Sequence, residues 1–372
     1  MLSRILVSRV YRLLTLVLLL YLNIHWLRPV YNWDMIPYVG LAYEFAGATP
    51  AEAHARAYDA AKKSVDEGTF QLLAGNSDYR RLNATDATVF DQQLPMYRVK
   101  VAYPWMIQKL LRAGWDPVYA SILISKIAYI ALGIALFVWV SSILPFPPFI
   151  DVLAVWILMS FTPVLRLAQL STPDALSAVV VVSALVAAES RRDLRLSMIL
   201  LLLSVAIRPD NVFWLFAFTT VCVIQSSKSR VTAICASLAG TALAFILMKW
   251  AGTPSWPVLF YHAFVKRIPN EATFHSPLMF ADYVRVYLQQ LSPANRPQFG
   301  VVFVFLGVLA GALRRIRNEE YPASFLLIAG LFSVALWLTF PDGEDRLFAV
   351  PYLVVAMELI RTVTRQESWY LQ

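Results

Sequence analysis

Apolar runs of near-membrane length recur along this chain from one end to the other, and that recurrence restricts what it can fold into. A helix that crosses a bilayer needs about 20 mostly apolar residues. By that measure the spans fall at 10–29, 117–143, 149–168, 172–189, 194–208, 211–227, 231–250, 299–313, 321–340 and 346–363. The predicted fold class is all-α, a polytopic bundle of about 10 spans forming one membrane-embedded domain over residues 1–372. Composition agrees: 59% of residues are hydrophobic and 15% charged, against about 45–50% and about 25% in soluble domains.

The basic residues then orient the bundle, because Lys and Arg collect in cytoplasmic loops. With the N-terminus inside, the inner loops hold Arg191, Arg192 and Arg195, then Lys228 and Arg230, then Arg314, Arg315 and Arg317, with Arg361 and Arg365 in the tail. The outer turns read Ser171-Thr172-Pro173-Asp174, Arg208-Pro209-Asp210-Asn211 and Pro341-Asp342-Gly343-Glu344-Asp345. Both termini are expected in the cytoplasm of a cell with this protein in its inner membrane. The net charge of +8 is thereby explained by membrane orientation rather than by nucleic acid. Arg4, Arg9 and Arg12 precede an apolar run as in a signal peptide. No small-residue cleavage site follows, so a retained anchor is expected.

Two long segments, 30–116 and 251–298, fall outside. The first holds an Ala-rich amphipathic stretch running from Pro50 to Lys63, then aromatics mixed with Arg98, Lys100, Lys109 and Arg112. That mixture suits helices lying on a membrane surface. The second carries Lys266, Arg267, Arg285 and Arg296 among many aromatics. Connections this long are usually functional or disordered, and their aromatic content favours order. Cys222 and Cys235 lie within apolar runs, which implies no disulfide framework. The four histidines have no metal-ligand spacing.

The outer face gathers Asp34, Asp174, Asp210, Asp342, Glu344 and Asp345. Each has a structural reading beside a chemical one, since Asp caps helix N-termini and Pro fits the first turn. Asp34, in Tyr31-Asn32-Trp33-Asp34, follows the first span and is placed to take a proton from a hydroxyl. Lys126, Arg166 and Arg208 bring positive charge into or near spans. A charge at the centre of a spanning helix costs about 2.5–3.5 kcal/mol, so it faces the interior and finds a partner. That partner is an internal acid such as Asp174 or Asp210, or the phosphate of a lipid. Arg346, after Asp345, offers a planar fork to the same oxygens. The chain has no nucleotide phosphate loop, dinucleotide fingerprint or Gly-x-Ser-x-Gly elbow. Asn83-Ala84-Thr85 matches a glycosylation sequon, a short pattern that also arises by chance.

Together these features resemble the GT-C superfamily of integral membrane glycosyltransferases. The resemblance rests on Asp34 after the first span, a long external segment with surface helices, and Thr172-Pro173-Asp174-Ala175-Leu176. Arg208-Pro209-Asp210-Asn211 and Asp345-Arg346 ahead of Pro351-Tyr352 add to it. It implies transfer of a sugar, with inversion, from a polyprenyl-phosphate donor to a glycan or lipid acceptor of the cell envelope at the outer face. Asp34 takes the place of the catalytic base. Where many relatives carry an acidic pair, this chain has Asn32-Trp33-Asp34. Arg208, Arg346 and Lys126 are expected at the phosphate, with Asp174, Asp210 and Asp345 orienting sugar hydroxyls or holding the cations. No cofactor is required, and a divalent cation is compatible with the acids. Membrane lipids are expected as partners and nucleic acid is not. The rival classes are a transporter or flippase for a lipid-linked glycan, which predicts repeats and broken helices, and a non-catalytic scaffold for envelope assembly.

Overall fold

The computed structural model describes residues 2–143, 149–190, 193–225, 230–269, 274–290, 323–342 and 344–370. These residues are all-helical, with no strands; one isolated parallel bridge joins Val30 and Leu170. The first helix, α1 (Leu2–Trp26), leads into a layer of seven helices: α2 (Met35–Phe45), α3 (Pro50–Ser64), α4 (Glu67–Ala74), α5 (Asp78–Thr85), α6 (Ala87–Gln93), α7 (Pro95–Arg98) and α8 (Ala102–Arg112). A bundle follows, made of α9 (Pro117–Ile143), α10 (Ile150–Met159), α11 (Thr162–Gln169), α12 (Asp174–Ser190), α13 (Leu194–Ile207), α14 (Val212–Gln225) and α15 (Arg230–Ala251). The second long segment contributes α16 (Trp256–Phe260) and α17 (Phe280–Gln290). The last helices are α18 (Ala323–Thr339) and α19 (Ala349–Tyr370).

Two of these helices, α9 and α15, are long and apolar enough to cross a membrane. At about 1.5 Å per residue, the 27 residues of α9 extend well past the ~30 Å hydrocarbon core. A third crossing results if α10 and α11 count as one, although they meet at 69°. The expected straight span over 149–168 is therefore broken. Phe161 adopts an extended backbone ahead of Thr162-Pro163, and Pro163 stands in the first turn of α11, where its missing N–H has no helical partner to lose. The count of about ten spans is not reached by these criteria. Pro173 and Pro209 end continuous helix between the expected spans, and α12, α13 and α14 are 17, 14 and 14 residues long. The expected span at 299–313 and the basic residues Arg191, Arg192, Lys228, Arg314, Arg315 and Arg317 lie outside the described residues.

The bundle core is apolar from α1 across α9, α12, α14, α18 and α19, with Leu20, Leu136, Trp139, Val182, Trp214, Phe332 and Leu353 buried within it. The helical layer has its own core of Trp33, Ile36, Val39, Ala57, Tyr58, Phe90 and Leu94. There α2 packs so closely on Phe90 that a Cβ at Gly40 would lie 2.9 Å from the ring. The Ala-rich stretch forms α3 as its sequence suggests. Thr49 accepts from Glu52 N, Glu52 accepts from Thr49 N at 2.9 Å, and Pro50 sits in the first turn, a capping box.

Buried polar contacts fix the end of the bundle that meets this layer. Ser121 Oγ donates to Ser171 Oγ at 3.0 Å, and Ser125 Oγ donates to Thr172 O at 3.3 Å. Asn211 Nδ2 donates to Ser177 Oγ (2.7 Å) and Ser204 O (3.0 Å). Val30 N donates to Gln169 O at 3.0 Å, so the strap after α1 is tied to α11. Ion pairs close the other end: Arg12 with Asp151 at 2.5 Å, and Arg361 with Glu189 and Glu358.

Candidate active site

The 171–174 turn, the 208–211 turn and the 341–346 connection come together at the bundle end facing the helical layer, and Asp34 is brought to meet them. Asp34 directly precedes α2, yet its side chain makes no cap hydrogen bond. Its carboxylate instead accepts from Asn32 Nδ2 and from Tyr97 OH, both at 3.1 Å. Trp33 beside it is buried, its ring 5.3 Å from Tyr79 and 6.1 Å from Tyr97, so the loop carrying Asp34 is held from both sides.

Arg208 and Arg346 organise the acids. Arg208 grips Asp210 with Nε at 3.1 Å and Nη2 at 2.6 Å, and Nη1 pairs with Asp174. Asp174 also accepts from Thr172 Oγ1 at 2.7 Å. Arg346 divides its guanidinium among Asp174 (3.5 Å), Asp34 (3.8 Å) and Glu344. Four of the expected site residues (Asp174, Asp210, Arg208 and Arg346) thus form one connected network with Asp34. Burial raises the Asp210 carboxyl, but the charge and hydrogen bonds of Arg208 outweigh it and leave the group below the usual carboxylate range. Burial pushes Asp342 and Glu344 above that range, against the opposing pull of Arg346.

Two cavities share Arg346. The larger, about 420 Å³, is lined by Asp34, Asp342 and Glu344 and by Arg80, Arg267 and Tyr79. The smaller, about 30 Å³, lies deeper, where Asp174, Arg208 and Asp210 meet the apolar walls of Trp214, Phe332 and Val350. The smaller space has room for about one water, so of the two only the larger cleft has the size of a ligand pocket.

Two expected members stand apart. Lys126 is half-buried on α9 and makes no hydrogen bond or ion pair among the described residues. With 3.6 residues per turn, the position after Ser125, which faces Thr172, is turned about 100° away from the network. Asp345 accepts from Tyr352 OH at 3.3 Å and is raised by burial. It faces α11, where the charge of Arg166 reaches it, rather than the acids of the cleft.

Lys100 was not among the expected site residues. It lies in the turn between α7 and α8, its ammonium 5.7 Å and 5.9 Å from the Tyr97 and Tyr38 ring centres, within reach of cation–π attraction. It makes no ion pair among the described residues. Burial, and then the neighbouring charge of Arg208, lower its pKa from 10.5 to about 8. Tyr97, the donor to Asp34, is pushed well above its usual range by burial and by that carboxylate, so it stays a protonated donor.

Among the described residues no group of three or more His, Cys, Asp or Glu is arranged to hold a metal ion. No family model, curated protein or solved structure matches this chain.

Proposed function

We propose that this protein is a membrane glycosyltransferase that moves a sugar from a polyprenyl-phosphate donor to an envelope glycan or lipid acceptor, in the manner of the GT-C superfamily. The observation that carries the reading is Asp34. It is a carboxylate relieved of capping duty, held by Asn32 and Tyr97 at the mouth of a 420 Å³ cleft, with Arg346 between it and the Arg208 network. In this reading the acceptor hydroxyl oxygen attacks the anomeric carbon. Its proton passes to Asp34, and the sugar–phosphate bond breaks with its electron pair going to the phosphate oxygen. Attack from the face opposite the phosphate inverts the anomeric centre. Arg346 and Arg208 meet the charge that develops on the leaving group, where fixed cations are worth most. The charge of Lys100 supports them from behind Tyr38 and Tyr97.

The same reading places about ten spans in an inner membrane, both termini in the cytoplasm and the cleft outside. The basic residues of the inner loops and the two long segments on the cleft side support it.

A transfer assay in lipid tests it, with radiolabelled polyprenyl-phosphate sugars and extracted envelope lipids. Wild type is expected to label an acceptor. Asp34→Asn, checked for folding, should lose about 10²–10⁴-fold in rate, the usual contribution of a general base. Undiminished transfer by Asp34→Asn removes the base assignment. No transfer across a broad donor panel removes the enzyme and leaves transport or scaffolding.

A further inference from the structure

The large cleft is lined by charges of both signs. Asp34 at the start of α2 lines it with Asp342, Glu344 and Arg346 of the 341–346 connection, and Arg80 of α5 and Arg267 of the second long segment line it too. Arg80 and Arg267 are both placed by the local fold. Ser77 Oγ caps α5 by accepting from Arg80 N at 3.3 Å, and Arg80 Nη1 donates to Leu72 O at 2.6 Å, which uses one edge of the guanidinium. Arg267 belongs to a strap clasped onto the helical layer. The fully buried Gln93 donates to Ile268 O (3.3 Å) and Pro269 O (3.2 Å), and Ile268 N donates to His262 Nδ1 at 3.2 Å. The His262 ring in turn meets Tyr79 edge to face at 5.3 Å. Neither arginine has an ion-pair partner among the described residues.

A neutral sugar needs hydroxyl partners and an aromatic face, which Asn76, Ser77 and Tyr79 supply. It makes no use of Arg80 and Arg267, although the charge of Arg267 reaches Asp342. A ligand carrying a carboxylate or phosphate satisfies them, since Arg matches those oxygens in a planar fork. Asp34, Asp342 and Glu344 repel the same group, less so where Arg346 pairs with Asp34 and Glu344. We infer that the acceptor is an anionic saccharide, bound with its charged group between Arg80 and Arg267 and a free hydroxyl toward Asp34. This rests on reading the cleft as the site of transfer.

Binding without donor tests it, so a failed transfer assay and a failed binding preference remain separate results. The probes are trigalacturonate, maltotriose and inorganic phosphate, with affinities for the full-length protein in lipid nanodiscs read by saturation-transfer NMR. Wild type is expected to bind trigalacturonate at least tenfold more tightly than maltotriose. Arg80→Gln with Arg267→Gln should erase that difference, and Arg80→Lys with Arg267→Lys, which keeps the charge if the glutamine pair fails to fold, should retain most of it. Equal affinity for the two sugars in wild type overturns the inference. So does a preference that survives the glutamine pair, or phosphate binding as tight as that of trigalacturonate.

Discussion

Asp34 occupies the position of a helix cap without acting as one, and that separates it from Asp174 and Asp210, whose carboxylates are already engaged by Arg208. The division leads to a prediction. Arg208→Ala leaves buried acids uncompensated and should destabilise the protein by about 3–5 kcal/mol, read as a lowered melting temperature in detergent, while Arg208→Lys retains part of the loss. Lys100 supplies a pH test. With its pKa lowered to about 8, its charge is present below pH 8 and absent above it. Affinity for a polyprenyl-phosphate head group should therefore fall as pH rises through about 8. The fall should vanish in Lys100→Met and move to higher pH in Lys100→Arg. Stability has the opposite trend: the folded state sheds this proton more readily than the unfolded chain, so stability attributable to Lys100 rises between about pH 8 and 10.5. Asp34 was legible from its place after the first apolar run, and Arg346 from its fork beside acids. Lys100 and Tyr97 were not, because the contact between Tyr97 and Asp34 spans 63 residues and no local spacing announces it.

Among the elements, α3 is what its sequence promises, since its cap, first-turn proline and alanines all act within a few residues of one another. The α10–α11 break was equally present in Thr162-Pro163, but apolar composition treats the stretch as one unit and ignores the proline. Packing between helices is the part that composition hides. Gly133 on α9 faces Leu20 of α1, and a Cβ there would overlap the leucine side chain. Gly133→Ala should be tolerated by a shift of that flexible end, while Gly133→Val should cost about 1–3 kcal/mol through overpacking. Thermal unfolding of the purified variants distinguishes the two.

For the whole molecule, the layer α2–α8 and the basic residues of the bundle's other connections carry the proposed orientation. In a variant without Cys222 and Cys235, Gln71→Cys should react with an impermeant maleimide from outside intact cells, and Asp193→Cys only after the membrane is opened. Reaction of both from one side would remove the topology. Arg346 has a further consequence at this scale, because one guanidinium forms part of the wall of both cavities. In the proposed reading, the donor's phosphate near Arg208 and the acceptor in the cleft sit on either side of the same side chain at the same moment. If the protein is the proposed transferase, neither product leaves before both substrates have arrived, and no sugar is parked on the protein between them. Initial rates at varied donor and acceptor concentrations should therefore give intersecting double-reciprocal lines, where parallel lines would mean that the two ligands take turns.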